Sequence, residues 1–445
     1  MHMPNPVDDY PAGTGAIKLP LDGVSETRSR SSKLRRAIWL TVLYTSIALA
    51  CCSLLILSYY KNRSLHNNDE APLISPAEDS RLEPYQTPEN AHSCADWSEN
   101  SRDWHSFELP PDAHLLFLLS RGPGIYGEVN IIKTSQYSRG PIEVNITAEY
   151  ETHTDLLRTK LCRMGSATEH GILLWADPYH PHGASMRSSV RFNITVALPT
   201  GVRDYKDITT DLAHFSHHVG DFFDIWSPTS FDVIRLKSSN AEINHGALIG
   251  RAGFFETSNS DVRGFFGGFD YEVKTSNAQI QATAFMFGES TGSEARVKLQ
   301  TSNGEIVAAL GLTSDFSDST LRAVVETSNA AITLSNPKQG MMPDNVSFFL
   351  DASTSNAPAQ LHLFPEYEGP YDLQTTQAAA RVKEISGAVP DPAGKGRHRT
   401  VTKTGDGSSH AQGKVYWSHD GNPPEGFERG HIKITTSVSP IELHI

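Results

Sequence analysis

Six stretches in the second half of the chain, aligned on a recurring Asn, share one grid of apolar and polar positions. Two residues before the Asn stand Ser238, Thr257, Thr275, Thr301, Thr327 and Thr354. Four before come Leu236, Phe255, Val273, Leu299, Val325 and Ala352, and six before come Ile234, Gly253, Tyr271, Val297, Ala323 and Leu350. Three residues after the Asn the column is Ile243, Val262, Ile280, Ile306, Ile332 and Ala359, and two further on it holds Ala282, Ala308, Leu334 and Leu361. The period is two on both sides, so each copy is a strand, a corner and a strand with one buried face. The column between, Lys237, Glu256, Lys274, Gln300 and Glu326, is polar and is expected to face water.

The corner is Thr-Ser-Asn in five copies and Ser238-Ser239-Asn240 in the first. The grid continues without its Asn through Tyr371, Leu373, Thr375, Ala380 and Val382, and again through Ile432, Ile434, Thr436, Ile441 and Leu443. Corner-to-corner spacings of 19, 18, 26, 26, 27, 21 and 61 residues keep the corner and vary the return. That combination predicts a β-solenoid whose coils stack in sequence order, with the Asn amides bonded from coil to coil. A series of hairpins is the rival, because Asn303-Gly304 suits a two-residue turn. Elsewhere Ser260, Ala278, Ala330 or Ala357 follows the Asn, and none of them takes φ > 0 as cheaply as Gly.

Ahead of the repeats, residues 1–36 are rich in Pro, Gly, Ser and charge and are expected to be a disordered cytosolic tail. Residues 37–60 hold no charge, enough to span a bilayer as one helix. A cleavable signal peptide is the alternative, with Ala48-Leu49-Ala50 as its site. The long preceding tail and the apolar run beyond that site favour an uncleaved signal anchor. Arg28, Arg30, Lys33, Arg35 and Arg36 precede the span and only Lys61 and Arg63 closely follow it, which places the N-terminus in the cytosol and the rest lumenal or extracellular. Residues 61–93, with Pro72, Pro76, Pro84 and Pro88, describe a stalk.

From Cys94 to residue 230, short apolar runs broken by Gly, Pro and Ser predict a small β-sandwich-like module. The repeat domain then fills 231–445, with a flexible Gly-rich insertion at 386–413. The expected class is therefore all-β: a β-solenoid-like repeat region behind a sandwich-like module and one N-terminal transmembrane helix. Asn145, Asn193 and Asn345 begin Asn-x-Ser/Thr sequons and are glycosylation candidates on a lumenal ectodomain. Cys94 and Cys162 are the cysteines outside the membrane run, and an oxidising compartment would let them bond.

Composition changes the picture in one respect. The formal charge of −13 argues against nucleic acid or anionic lipid as main partner, and 38% hydrophobic residues are ordinary for a folded chain. His214, His217 and His218 with Asp221 and Asp224 could ligate a metal by residue type, but no helix fixes them and no zinc motif is matched, so no metal or other cofactor is expected. His180 and His182 are weaker still. Glu242 and Asp261 could form an acid/base couple on adjacent coils, although a column with Gln279 and Glu305 is more simply a solvated ladder. The insertion carries Lys395, Arg397, His398, Arg399 and Lys403, either a solvated loop or an anionic-polymer site. No nucleophile elbow, phosphate loop, Cys/His pair or HExxH occurs, so no catalytic residue is named.

The Thr-Ser-Asn-(Gly/Ala)-x-(Ile/Val) repeat, clearest in 272–281 and 298–307, resembles adhesin-type β-repeat domains of unknown function, and the tail, span, stalk and β ectodomain together resemble uncharacterised fungal membrane proteins carrying them. The resemblance covers about Phe231 to Leu363. It implies a membrane-anchored, non-catalytic glycoprotein for display or adhesion, whose partner is a glycan, cell-wall polymer or surface protein. A polysaccharide hydrolase or lyase on the same scaffold is the alternative.

Overall fold

Each Thr-Ser-Asn stretch turns the chain out of one parallel sheet and into a second that faces it. The computed structural model describes residues 80–445 except 96, 98–102, 135–136, 138, 178–188, 224–227, 289, 314–318, 336–345, 386–388 and 427–428. The span at 37–60 lies outside these residues; among the described residues no helix is long and apolar enough to cross a membrane.

Eleven two-strand rungs stack among the described residues, each with its first strand in sheet one and its second in sheet two. In stacking order, rung 1 is Glu169–Ala176 with Val190–Leu198, rung 2 is Leu115–Arg121 with Ile125–Lys133, and rung 3 is Asp204–Asp211 with Phe215–Val219. Rung 4 joins Ser230–Lys237 to the first half of Ile243–Glu256, and rung 5 joins the second half of that strand to Val262–Gly268. Rungs 6 to 9 are Asp270–Lys274 with Ile280–Phe287, Glu294–Gln300 with Ile306–Thr313, Thr320–Glu326 with Ile332–Ser335, and Ser347–Thr354 with Ala359–His362. Rung 10 is Gly430–Thr436 with Ile441–His444, and rung 11 is Gly369–Thr375 with Ala380–Lys383.

Register follows the sequence columns. Val273 pairs with Leu299 and Leu299 with Val325, all parallel, and Ile280, Ile306 and Ile332 line up in the facing sheet. The hairpin alternative is thereby excluded: Leu299 meets its counterparts on neighbouring rungs, not Ala308 across the corner. Inward residues of both sheets merge into one core from Trp97 to Ile445.

The corners explain the repeated tripeptide. Ser276 and Asn277 both donate their N–H to the Ser258 carbonyl at 3.1 and 3.0 Å, and the same pair of bonds recurs from Ser302 and Asn303 to Ser276 and from Ser328 and Asn329 to Ser302. The Thr side chain turns inward and its hydroxyl donates to a corner carbonyl below, as Thr327 does to Gly304 at 3.1 Å and Thr354 to Ala330 at 3.0 Å. A buried hydroxyl is thus satisfied without breaking the apolar column. The Asn amides form a ladder, each Nδ2 donating to the Oδ1 below at 2.6–2.7 Å from Asn356 through Asn329, Asn303, Asn277 and Asn259 to Asn240. Gly304 is no hairpin glycine. A Cβ there would lie 1.6 Å from the Ala278 carbonyl oxygen, so close approach of two corners is what demands it.

Three sequence expectations change. The region from Cys94 to residue 230 is not a separate sandwich, because its strands supply rungs 1 to 3 of the same two sheets; antiparallel strands then close that end, Thr159–Gly165 and Ser93–Ala95 on sheet one, Ile142–Tyr150 and Trp104–Leu109 on sheet two. The folded part also starts ahead of Cys94: Leu82 and Tyr85, in the 3-10 turn Ser80–Tyr85, cover Leu115, Phe117, Leu119 and Leu173 on the outside of sheet one, with Tyr85 stacked on Phe117 at 4.6 Å. Finally, the last repeat in sequence is not last in space. Rung 10 is inserted between rungs 9 and 11, and the insertion at 386–413 contributes His398–Thr404, which with His410–Ser418 forms an antiparallel hairpin against rung 11.

Candidate functional surface

Sheet two alternates core and outward residues, and its outward columns over rungs 5 to 7 combine polar groups with aromatic rings. Val262, Phe266, Ile280, Ala284 and Met286 point into the core. Between them Arg263 lies beside Gln281, and Phe265 beside Thr283. Phe285 has Gly267 on one neighbouring strand and Gly311 on the other, and the buried ring of Phe287 lies over Gly267, where a Cβ would come within 3.1 Å of it. Phe265 and Phe285 are half-buried, with ring centroids 5.4 Å apart. The two part-exposed rings thus stand among the Gln281 amide, the Thr283 hydroxyl and the Arg263 guanidinium. Aromatic rings held in this way bury apolar area while the neighbouring donors fix orientation. The repeat columns carry no mark of this patch, because they end at the second inward residue after each corner and the rings lie beyond it.

Two carboxylates of the corner column, Asp261 and Glu305, are engaged in a ladder through Gln279. Asp261 accepts from Arg263 at 2.6 Å and from the Gln279 N–H at 3.0 Å, and Gln279 donates to Glu305 at 3.2 Å. Glu242, in the same column one rung down, is exposed. On sheet one, burial raises Asp270 to about 6 despite Arg296 and Lys298 nearby, and its neighbour Glu272 is tied to Lys298 at 3.1 Å.

The pleat splits the histidine cluster. His217 points into the core, where its Nε2 is 2.7 Å from the Thr210 hydroxyl and burial lowers its pKa to about 3. His218 takes the opposite face of the strand. His214 is at the corner, 3.1 Å from Asn240, where it ends the amide ladder. Asp221 accepts from the Ala247 N–H at 3.2 Å. Asp224, His180 and His182 lie outside the described residues. His245, one rung further on, is also in the core, stacked on Phe255 at 4.3 Å and lowered by burial to about 4.

Asn145 and Asn193 lie on adjacent antiparallel strands of sheet two, Asn145 opposite Thr195 and Asn193 opposite Thr147, both part-exposed; Asn345 lies outside the described residues. Cys94 and Cys162 face each other across the first antiparallel pair and are joined in a disulfide. Of the insertion's cations, Arg397 is locked between Asp391 at 2.9 Å and Glu368 at 3.1 Å, and Lys403 meets Glu384 at 2.8 Å, so the loop is built on ion pairs and not merely solvated.

No protein-family model and no curated protein matches the chain. A solved structure described as a "putative cell adhesion protein" from Clostridium sporogenes aligns with 77% of this chain and 98% of its own at 7% identity, with a TM-score of 0.16, a likeness too slight to carry an argument.

Proposed function

We propose that this protein is a non-catalytic display and recognition module, held by a single span near its N-terminus with the solenoid on the non-cytosolic side, and that its sheet-two face meets a glycan or a similarly flat polymer. The observation that carries the reading is the pair of half-buried rings, Phe265 and Phe285, set on a polar face with glycines beside the second. A sugar ring offers an apolar face edged by hydroxyls, which is the complement of such a patch. The tying of Asp261 to Arg263 and Gln279 further favours binding over acid/base chemistry.

The test is a glycan array probed with the purified full chain, run beside a polysaccharide-hydrolase panel. Binding to a restricted set of glycans, weakened at least tenfold by Phe265→Ser with Phe285→Ser while the melting temperature stays within a few degrees, is the expected result. Release of product from any polysaccharide, or binding that ignores both substitutions, would overturn it. The orientation has its own check: glycosidase should increase the gel mobility of protein made in a eukaryotic host, and Asn145→Gln with Asn193→Gln should reduce that shift. Protease digestion of the C-terminal half in intact vesicles, with the tail protected, would refute the orientation.

A further inference from the structure

Rungs 9 and 10 meet in sheet two, where Ala359–His362 runs parallel to Ile441–His444. Both strands alternate, so Ala359 and Leu361 face the core beside Ile441 and Leu443, while Gln360, His362, Glu442 and His444 take the outer side. Register sets His362 directly beside His444. Their rings stack with centroids 4.3 Å apart and planes 15° from parallel, His362 exposed and His444 part-exposed.

Stacking alone would be an ordinary ring contact. What sets this pair apart is where its nitrogens point: the Gln360 amide nitrogen lies 3.0 Å from Nε2 of His362 and 3.2 Å from Nε2 of His444. An amide NH2 only donates, so both ring nitrogens accept. Each imidazole is then neutral, carries its proton on Nδ1 and turns an unprotonated lone pair toward one point. Burial, and after it the neighbouring His444, lower the pKa of His362, which favours the neutral ring. Glu442 stands at the rim, its Oε2 3.5 Å from the His444 Nε2 and 2.7 Å from the Lys383 ammonium on rung 11, so Lys383 is neutralised. Two lone pairs and a carboxylate oxygen therefore converge on a single NH2, an arrangement that a cation relieves.

We propose that His362 and His444 bind a late first-row divalent ion, Cu²⁺ in preference to Ni²⁺ or Zn²⁺, through both Nε2 atoms, the ion taking the place of the Gln360 NH2 between them. Neutral imidazole is a ligand these ions favour, and two on one ion make a chelate that neither ring makes alone. Among the described residues no three His, Cys, Asp or Glu side chains are grouped to hold a metal ion. Water therefore completes the coordination, and the ion is exchangeable, unlike one in a closed structural zinc centre. One ring belongs to rung 9 and the other to rung 10, so the ion clips the inserted rung to its neighbour, and a ligand that binds only the folded stack stabilises it. The site shares no residue with the Phe265 and Phe285 face.

The purified full chain, stripped with EDTA, tests this by calorimetric titration with CuCl2 and, in parallel, MgCl2, while hydrogen–deuterium exchange follows the backbone amides of 359–363 and 441–445. Copper should bind and magnesium should not, and copper should slow exchange in both segments several-fold. His362→Gln and His444→Gln alter outward side chains, so the metal-free melting temperature should stay within a few degrees. Each should nonetheless remove one equivalent of bound copper and the slowed exchange with it. Gln360→Glu sets a carboxylate oxygen where the NH2 meets both nitrogens and should tighten that equivalent at least tenfold. The proposal is overturned if either histidine variant keeps every equivalent of the native chain, since copper then sits on other histidines. It is overturned equally if Gln360→Glu weakens binding, or if magnesium slows exchange as much as copper does.

Discussion

Leu299 is fully buried between Val273 and Val325, whereas Lys298, one residue away, points outward to Glu272 at 3.1 Å. Leu299→Asp puts an unpaired charge into the core and should cost several kcal/mol, on the order of 4. Lys298→Gln removes a part-exposed pair and should cost about 0.5 kcal/mol or less. Urea denaturation of the two variants measures the contrast, and equal costs would mean that the column is not a core column. Protonation offers a second test at this scale. Burial lowers His217 from 6.5 to about 3 and His245 from 6.5 to about 4, so the folded protein holds both neutral while the unfolded chain takes up protons below 6.5. Stability from these groups is therefore complete above 6.5 and is lost as pH falls toward their folded values, each with a limiting slope of about 1.4 kcal/mol per pH unit. Asp270, raised to about 6, works in the opposite sense, so the comparison must be between variants. His217→Gln with His245→Phe should flatten the fall in stability between pH 6 and pH 4.5; a slope identical to the native chain's would show that neither ring is buried neutral.

At the scale of the element, the amide ladder makes an interior Asn worth more than a terminal one. Asn303 donates to Asn277 and accepts from Asn329, while Asn356 makes one ladder bond, to Asn329. Asn303→Ala should cost about 1–2 kcal/mol and Asn356→Ala about half of that. Thermal denaturation compares them, and a larger loss at Asn356 would contradict a ladder that strengthens inward. The same ladder is why rungs 4 to 9 could be read from the sequence: each Asn marks a register point, and columns counted from it fall into the observed pairs. Rungs 1 to 3 carry no such mark. In rung 2 the run Leu115 to Ser120 is buried on both faces, because Leu82 and Tyr85 cover the outside, and the period of two that identifies a half-exposed strand is erased. In the insertion, four cations and a histidine among glycines look alike in a sequence, and only their partners distinguish Arg397, which is neutralised, from Arg399, whose Nε and Nη2 have no hydrogen-bond partner among the described residues.

For the whole molecule, stacking order and sequence order part at both ends. Rung 2 comes from an earlier segment than rung 1, and rung 10 from a later segment than rung 11. A parallel solenoid built in sequence order can grow and fray one coil at a time, since each coil contacts only its neighbours. Here Gly430–Thr436 separates Ser347–Thr354 from Gly369–Thr375, and Ile441–His444 separates Ala359–His362 from Ala380–Lys383. Nothing in the apolar columns announces this, because Ile432 and Ile434 offer the same face to a neighbour as Tyr371 and Leu373 do. The consequence is that rung 11 and its hairpin have no rung to pair with until rung 10 is in place. A chain ending at residue 429 should therefore lose more than its missing strands. Backbone amides of 369–383 and 398–418 should exchange with deuterium orders of magnitude faster than in the full chain, and trypsin should cut at Arg381, Lys383, Arg399 or Lys403, while rungs 4 to 8 keep their protection. If 369–418 stays protected in the shortened chain, rung 11 docks on rung 9 without the inserted rung, and the insertion is not what holds this end of the stack together.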